Sequence, residues 1–135
     1  MDNPLIGKTV TSAYLAADKL AIKFVLSDGA EMVVQADADC CSKSWIESVD
    51  NLEQLLHSPV TAVEDVSLPD KNENFDGGDL RQFYACKIHT TRGYALIDYR
   101  NESNGYYGGS LTWPGERHYG GVFDQNVSDY DWKPL

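Results

Sequence analysis

The chain reads as an α+β domain: a mainly antiparallel sheet of about five to six strands, with one or two short helices inserted after the third strand. Three observations predict this class. Apolar and polar residues alternate from Leu5 to Ala36 and break at turn formers; the composition shifts at Asp37 into two short helix-like runs; and alternation returns from Gln82 to Arg100.

The first strand is expected over Lys8–Leu15 and the second over Leu20–Leu26, joined at Ala17-Asp18. Ser27-Asp28-Gly29 marks a hairpin into a third strand over Glu31–Ala36, because Asp-Gly supplies the positive φ of a tight turn. After Asp37, the run Ser42 to Val49 predicts a short helix. Ser42 is its cap, and Trp45, Ile46 and Val49 share one face. Asn51 caps a second helical turn through Leu56, and Pro59 ends it. Val60–Val66 resumes strand character. Residues 69–79 are dense in turn formers and predict a long exposed loop. The pair Gln82–Thr90 and Tyr94–Arg100 forms a second hairpin closed at Thr91-Arg92-Gly93, and a last strand lies within Gly105–Trp113.

At 135 residues the chain has the size of one domain. Residues 1–113 are expected to form it. Residues 114–135 make an aromatic, mildly acidic C-terminal arm, whose Tyr119, Phe123, Tyr130 and Trp132 favour docking on the domain or on a partner. No apolar run approaches the ~18–20 residues of a membrane span, and the start lacks a basic and apolar leader, so the cytoplasm is the expected compartment. Three cysteines, two of them vicinal, do not build a disulfide framework.

The net charge of −10 disfavours direct nucleic-acid binding, which needs clustered Lys and Arg. Residues 37–79 carry eleven acids against two bases, whereas residues 80–113 carry four bases against two acids. The sequence is electrically two-sided.

Two constellations carry candidate chemistry. Asp39, Cys40, Cys41, Ser42 and Trp45 read as a structural motif, with Asp39 or Ser42 capping a helix and both thiols and the indole packed beneath the sheet. Adjacent thiols chelate a tetrahedral ion poorly, and Asp37 and Asp39 oppose a thiolate, so neither a metal nor a nucleophile is the first reading. Arg100, Asn101, Asn104, Tyr106 and Tyr107 are ligand-binding candidates: tyrosines flanked by glycines and amides make a recognition surface as readily as a hairpin loop. Templates for known catalysis are missing: no G-x-S-x-G, P-loop, H-E-x-x-H or Rossmann fingerprint.

The Asp39 to Trp45 run, the opening Leu5 to Val10 and the Asn-Gly-Tyr-Tyr-Gly-Gly-Ser-Leu run ending at Leu111 resemble a family of small, acidic phage- and prophage-encoded proteins of unknown function. The resemblance covers roughly residues 5–113 and implies a phage origin and the host cytoplasm as compartment. It carries no activity and no catalytic residues.

The expectation is therefore a non-enzymatic binding protein that inhibits a host protein, such as a CRISPR effector, through an acidic surface centred on Asp70, Glu73, Asp76 and Asp79. The favoured partner is a host protein that itself binds nucleic acid; no cofactor or metal is expected. The alternative is a binder that sequesters a nucleotide signal, stacking it on Tyr106 and Tyr107 and meeting its phosphates with Arg81, Arg92 or Arg100. A thiol or metal site at Cys40 and Cys41 is a third, weaker reading.

Overall fold

The computed structural model describes residues 3–38, 43–68, 72–75, 79–103, 109–114, 117–118, 121–122 and 131–135. Its strands are β1 (Val10–Ala16), β2 (Ala21–Leu26), β3 (Glu31–Ala38), β4 (Lys43–Asp50), β5 (Val60–Ser67), β6 (Glu73–Phe75), β7 (Asp79–Thr90), β8 (Gly93–Ser103), β9 (Gly109–Thr112), β10 (Arg117–His118), β11 (Gly121–Val122) and β12 (Trp132–Pro134). They form two antiparallel five-stranded sheets. One has the order β12-β1-β2-β3-β9; the other has the order β4-β8-β7-β5, with β6 added to β7; β10 and β11 make a separate ribbon.

This overturns the α+β expectation. The helical content of the described residues is one turn, α1 (Leu52–Leu55), and Asn51 enters it left-handed at φ 58 without a side-chain cap bond. The helix expected over Ser42–Val49 is strand β4. Its spacing misled for a physical reason. A bulge between Ile46 and Ser48 shifts the register, so Ser48 opposes Asp98 and Val49 opposes Ile97, and Ile46 and Val49 both meet the core at a helix-like separation of three. Trp, Ile and Val also favour a pleated, half-buried surface.

The expected loop over 69–79 also yields in part, since β6 pairs with the first residues of β7, Glu73 opposite Arg81 and Phe75 opposite Asp79. The three N-terminal strands form as read. Gly29 takes φ 87 at the β2–β3 turn, where the Ala30 N–H donates to Asp28 Oδ1 at 2.9 Å.

Both sheets turn their inner faces onto one core. Phe24, Ile22, Val34 and Leu111 come from the first sheet, and Ile46, Ile88, Ile97 and Cys86 from the second. Phe24 stacks on Trp113 with ring centres 6.4 Å apart. Burying such side chains is worth ~1.5–3 kcal/mol each, which makes this shared interior the main source of cohesion.

The β7–β8 turn is seated on α1. Thr90 Oγ1 donates to the Gln54 carbonyl at 2.6 Å, and Arg92 Nη1 donates to the Leu56 carbonyl at 3.1 Å. Gly93 has φ 151, and a Cβ there would stand 2.9 Å from Gln54 Oε1. Gly93→Ala is expected to cost about 1–3 kcal/mol, through backbone strain and displacement of Gln54, as read by chemical denaturation. Wild-type stability in this variant would show that the turn is not clamped on α1.

Candidate functional site

Alternation along β7 and β8 sorts their side chains. Ala95, Ile97, Tyr99, Asn101 and Ser103 of β8 are buried, and the residues between them form an outer face with Arg81, Phe83 and Lys87 of β7. That face carries the densest polar chemistry among the described residues. Arg100 Nη1 meets Glu47 Oε2 at 3.0 Å, and its guanidinium lies over the Phe83 ring at 4.5 Å. The Trp45 indole N–H donates to the same Glu47 oxygen at 2.8 Å. This indole hydrogen bond holds the Glu47 carboxyl below its ordinary range against a small cost of burial, and the Arg100 charge assists it.

Beside this cluster the Asp98 carboxyl is pushed above the usual carboxylate range. Burial is the main cause, and a hydrogen bond with Asp50 adds to it, while a 3.1 Å bond from Ser48 Oγ opposes both. A pocket of about 110 Å3 opens alongside, lined by Leu68, Phe83, Tyr84, Asp98, Tyr99 and Arg100. Ligand sites for molecules of nucleotide size typically span ~300–1,000 Å3, so this recess admits only a small group.

On the inner face, burial raises the Cys86 thiol far above its ordinary value, with Asp65 adding to the shift. Burial likewise raises the Tyr99 phenol, again with Asp65 contributing, and Tyr99 stacks on Tyr84 at 5.3 Å. A thiol held so firmly protonated is a core group and a poor nucleophile.

The residues singled out from the sequence fall in different places. Glu73 is exposed on β6 and stands 4.0 Å from Arg81. Asp79 opens β7, while Asp70 and Asp76 lie outside the described residues. Arg100 is on the outer face but already engaged. Asn101 points the other way: it is fully buried, accepting from Ser44 Oγ at 2.9 Å and donating to Gln82 Oε1 at 3.2 Å. Asn104, Tyr106 and Tyr107 lie outside the described residues, as do Asp39, Cys40, Cys41 and Ser42. Trp45 does not pack beneath the sheet, because it opposes Arg100 on the outer face.

The flanks of the two motifs are nonetheless brought together. Ala38 pairs with Gly109 and Lys43 with Glu102. Sequence reasoning missed the outer-face cluster. Its only local sign was the alternation of Phe83, Arg100 and Asp98 with core residues.

The three arginines considered for phosphates each have a protein partner. Arg81 pairs with Glu102 at 3.4 Å, Arg92 bonds the Leu56 carbonyl, and Arg100 pairs with Glu47. Groups of three or more potential metal ligands are absent among the described residues.

Two outcomes follow from this geometry. Because the folded-state pKa of Asp98 is raised, its contribution is stabilising below about pH 4, where both states hold the proton, and is lost as pH rises through the folded value. Asp98→Asn is therefore expected to melt higher than wild type at pH 7, with the gap closing towards pH 4 in melting curves across that range. Asn101→Ala is expected to destabilise by about 1–3 kcal/mol, because it strands the buried Ser44 hydroxyl and the half-buried Gln82 amide. Denaturant titration checks it, and an unchanged midpoint would return Asn101 to the ligand candidates.

Residues 3–113 match the model of a family described as Domain of unknown function (DUF7448). No curated protein and no solved structure matches the chain. None of its helices is long and apolar enough to cross a membrane, among the described residues.

Proposed function

The chain belongs to the DUF7448 family of domains of unknown function, and from that premise we propose that it is a non-enzymatic binding protein whose second sheet occupies a basic surface of another protein. One observation carries the reading. The described residues from Lys43 to Ser103 hold nine acids against five bases, whereas the remaining described residues hold five of each. The charge excess thus belongs to β4, α1, β5, β6 and their neighbours, and the first sheet is neutral.

The distribution refines how such a surface would work. β7 and β8, which carry Arg81, Lys87 and Arg100, lie between β4 and β5; Arg100 is met by Glu47 of β4, and Arg81 by Glu73 of β6 and Glu102 of β8. Glu53, Glu64 and Glu73 are exposed around this centre. Peripheral carboxylates of this kind accelerate encounter with a cationic partner, and the Trp45–Arg100–Phe83 group at the centre offers the aromatic and guanidinium contacts that dominate protein interfaces. The phage-like motifs extend the proposal to a host protein as partner. One that normally grips nucleic acid, a defence effector for instance, would present the required basic groove and be inhibited by its occupation. Among the described residues, the engagement of Arg81, Arg92 and Arg100 with protein partners favours this over nucleotide sequestration.

The test begins with affinity capture from nuclease-treated host lysate and continues with the captured protein in purified form. Combined Glu53→Gln, Glu64→Gln and Glu73→Gln substitution is expected to weaken binding about tenfold at low salt, with the difference shrinking as salt rises. A second variant combines Asp70→Asn, Glu73→Gln, Asp76→Asn and Asp79→Asn. Unchanged affinity in both at low ionic strength would dismiss charge complementarity as the basis of binding.

A further inference from the structure

The outer face of the first sheet holds a feature that the acidic second sheet does not explain. Ala16, Ala21 and Val33 are almost fully buried there, although they point away from the main core. The residue packed against them is Trp132 of β12. This strand adds antiparallel to the edge of β1, with Tyr14 opposite Pro134, Leu15 opposite Lys133 and Ala16 opposite Trp132. The Leu135 N–H donates to the Ala13 carbonyl at 3.0 Å, and the Ala17 N–H donates to the Asp131 carbonyl at 2.8 Å. Lys23, only 15% exposed and paired with Glu31 at 3.1 Å, holds its ammonium 4.8 Å from the Tyr14 ring centre and 5.4 Å from that of Trp132. The seat therefore has three parts: a ladder of edge amides, an apolar floor of small side chains, and a cation that faces an aromatic ring.

Every part of that seat lies within residues 3–113, whereas the strand that fills it lies outside the family match. An open edge strand beside an apolar floor is a template for strand addition, with the backbone supplying affinity and alternate side chains supplying selectivity. We propose that the edge of β1 is a peptide-binding site for an extended segment of another protein carrying an aromatic residue at the position of Trp132 and a proline two residues on, and that the chain's own C-terminal strand is its tethered occupant. The site competes in cis: a tether typically supplies about millimolar effective concentration, so a partner segment enters only by exceeding it or when the strap is drawn away. This inference stands apart from the charge-based reading above, since it concerns the opposite sheet and no acid of the second.

The test uses the full chain carrying a protease site inserted between Asn126 and Val127, with a fluorescein-labelled peptide of residues 129–135 as probe. After cleavage the labelled peptide is expected to exchange into the seat. Binding should be at least tenfold tighter than to the uncleaved chain, and at least tenfold tighter than for the same peptide carrying Trp132→Ala. Circular dichroism of the cleaved protein is expected to keep its sheet signal. A tail that neither leaves nor exchanges, loss of the fold on cleavage, or equal binding by the peptide with Trp132→Ala would each overturn the proposal. Full-length Trp132→Ala supplies a second reading without cleavage: it should take up the wild-type peptide at least tenfold more tightly than the native chain, and equal uptake would count against the site.

Discussion

Eleven consecutive cross-strand pairs join β7 to β8, from Leu80–Ser103 to Thr90–Gly93, and the two sheets are organised around that ladder. The ladder closes on a turn held against α1 by Thr90 and Arg92, where a side chain at Gly93 would displace that of Gln54. Its register decides which residues face inward. A slip of β8 by one position would turn Ile97 and Tyr99 to solvent and drive Asp98 and Arg100 into the core, so burial specifies the pairing strongly. β4 and β5 then attach on either side of a centre already placed.

The same ladder settles the electrostatics. The basic residues of β7 and β8 occupy the middle of the sheet, and acids of β4, β6 and β8 itself reach them at 3.0 to 4.0 Å. A chain that is two-sided in its linear charge becomes a mixed field in space. Attraction at exposed pairs contributes ~1 kcal/mol or less each, so these contacts orient side chains more than they stabilise the fold. Asp98 goes the other way, because burial and the neighbouring Asp50 carboxyl both disfavour its ionised form.

The two outer faces consequently differ in kind. The second sheet offers aromatic and guanidinium groups set in carboxylates; the first offers small apolar side chains covered by one indole. Edge protection differs as well. β1 is covered by β12, and the Ile46 N–H of edge strand β4 is satisfied by the Lys19 carbonyl at 2.8 Å. Both devices employ segments remote in sequence to satisfy backbone groups that a sheet edge leaves open.

Much of the strand content was legible in the sequence: β1, β2, β3, β5, β7 and β8 follow runs of β-branched, aromatic and apolar residues interspersed with polar ones, and Asp28-Gly29 marked its own turn chemistry. Local pattern does not distinguish a bulged strand from a helix, because the extra residue in β4 places Ile46 and Val49 at a spacing both can satisfy. The decision lay with β8, whose free edge offers β4 seven pairing positions and gives Ser44, Ile46 and Val49 a core to enter. Asn101 shows the same division. Its type and its neighbours suit a binding loop, yet its parity on β8 points it inward, where Ser44 and Gln82 complete its hydrogen bonds. Composition and periodicity are properties of neighbouring residues and survive in one dimension. Partner strand, face, and the meeting of Glu47 with Arg100 or Trp132 with Ala21 depend on residues tens of positions apart, which only the folded sheets bring within reach.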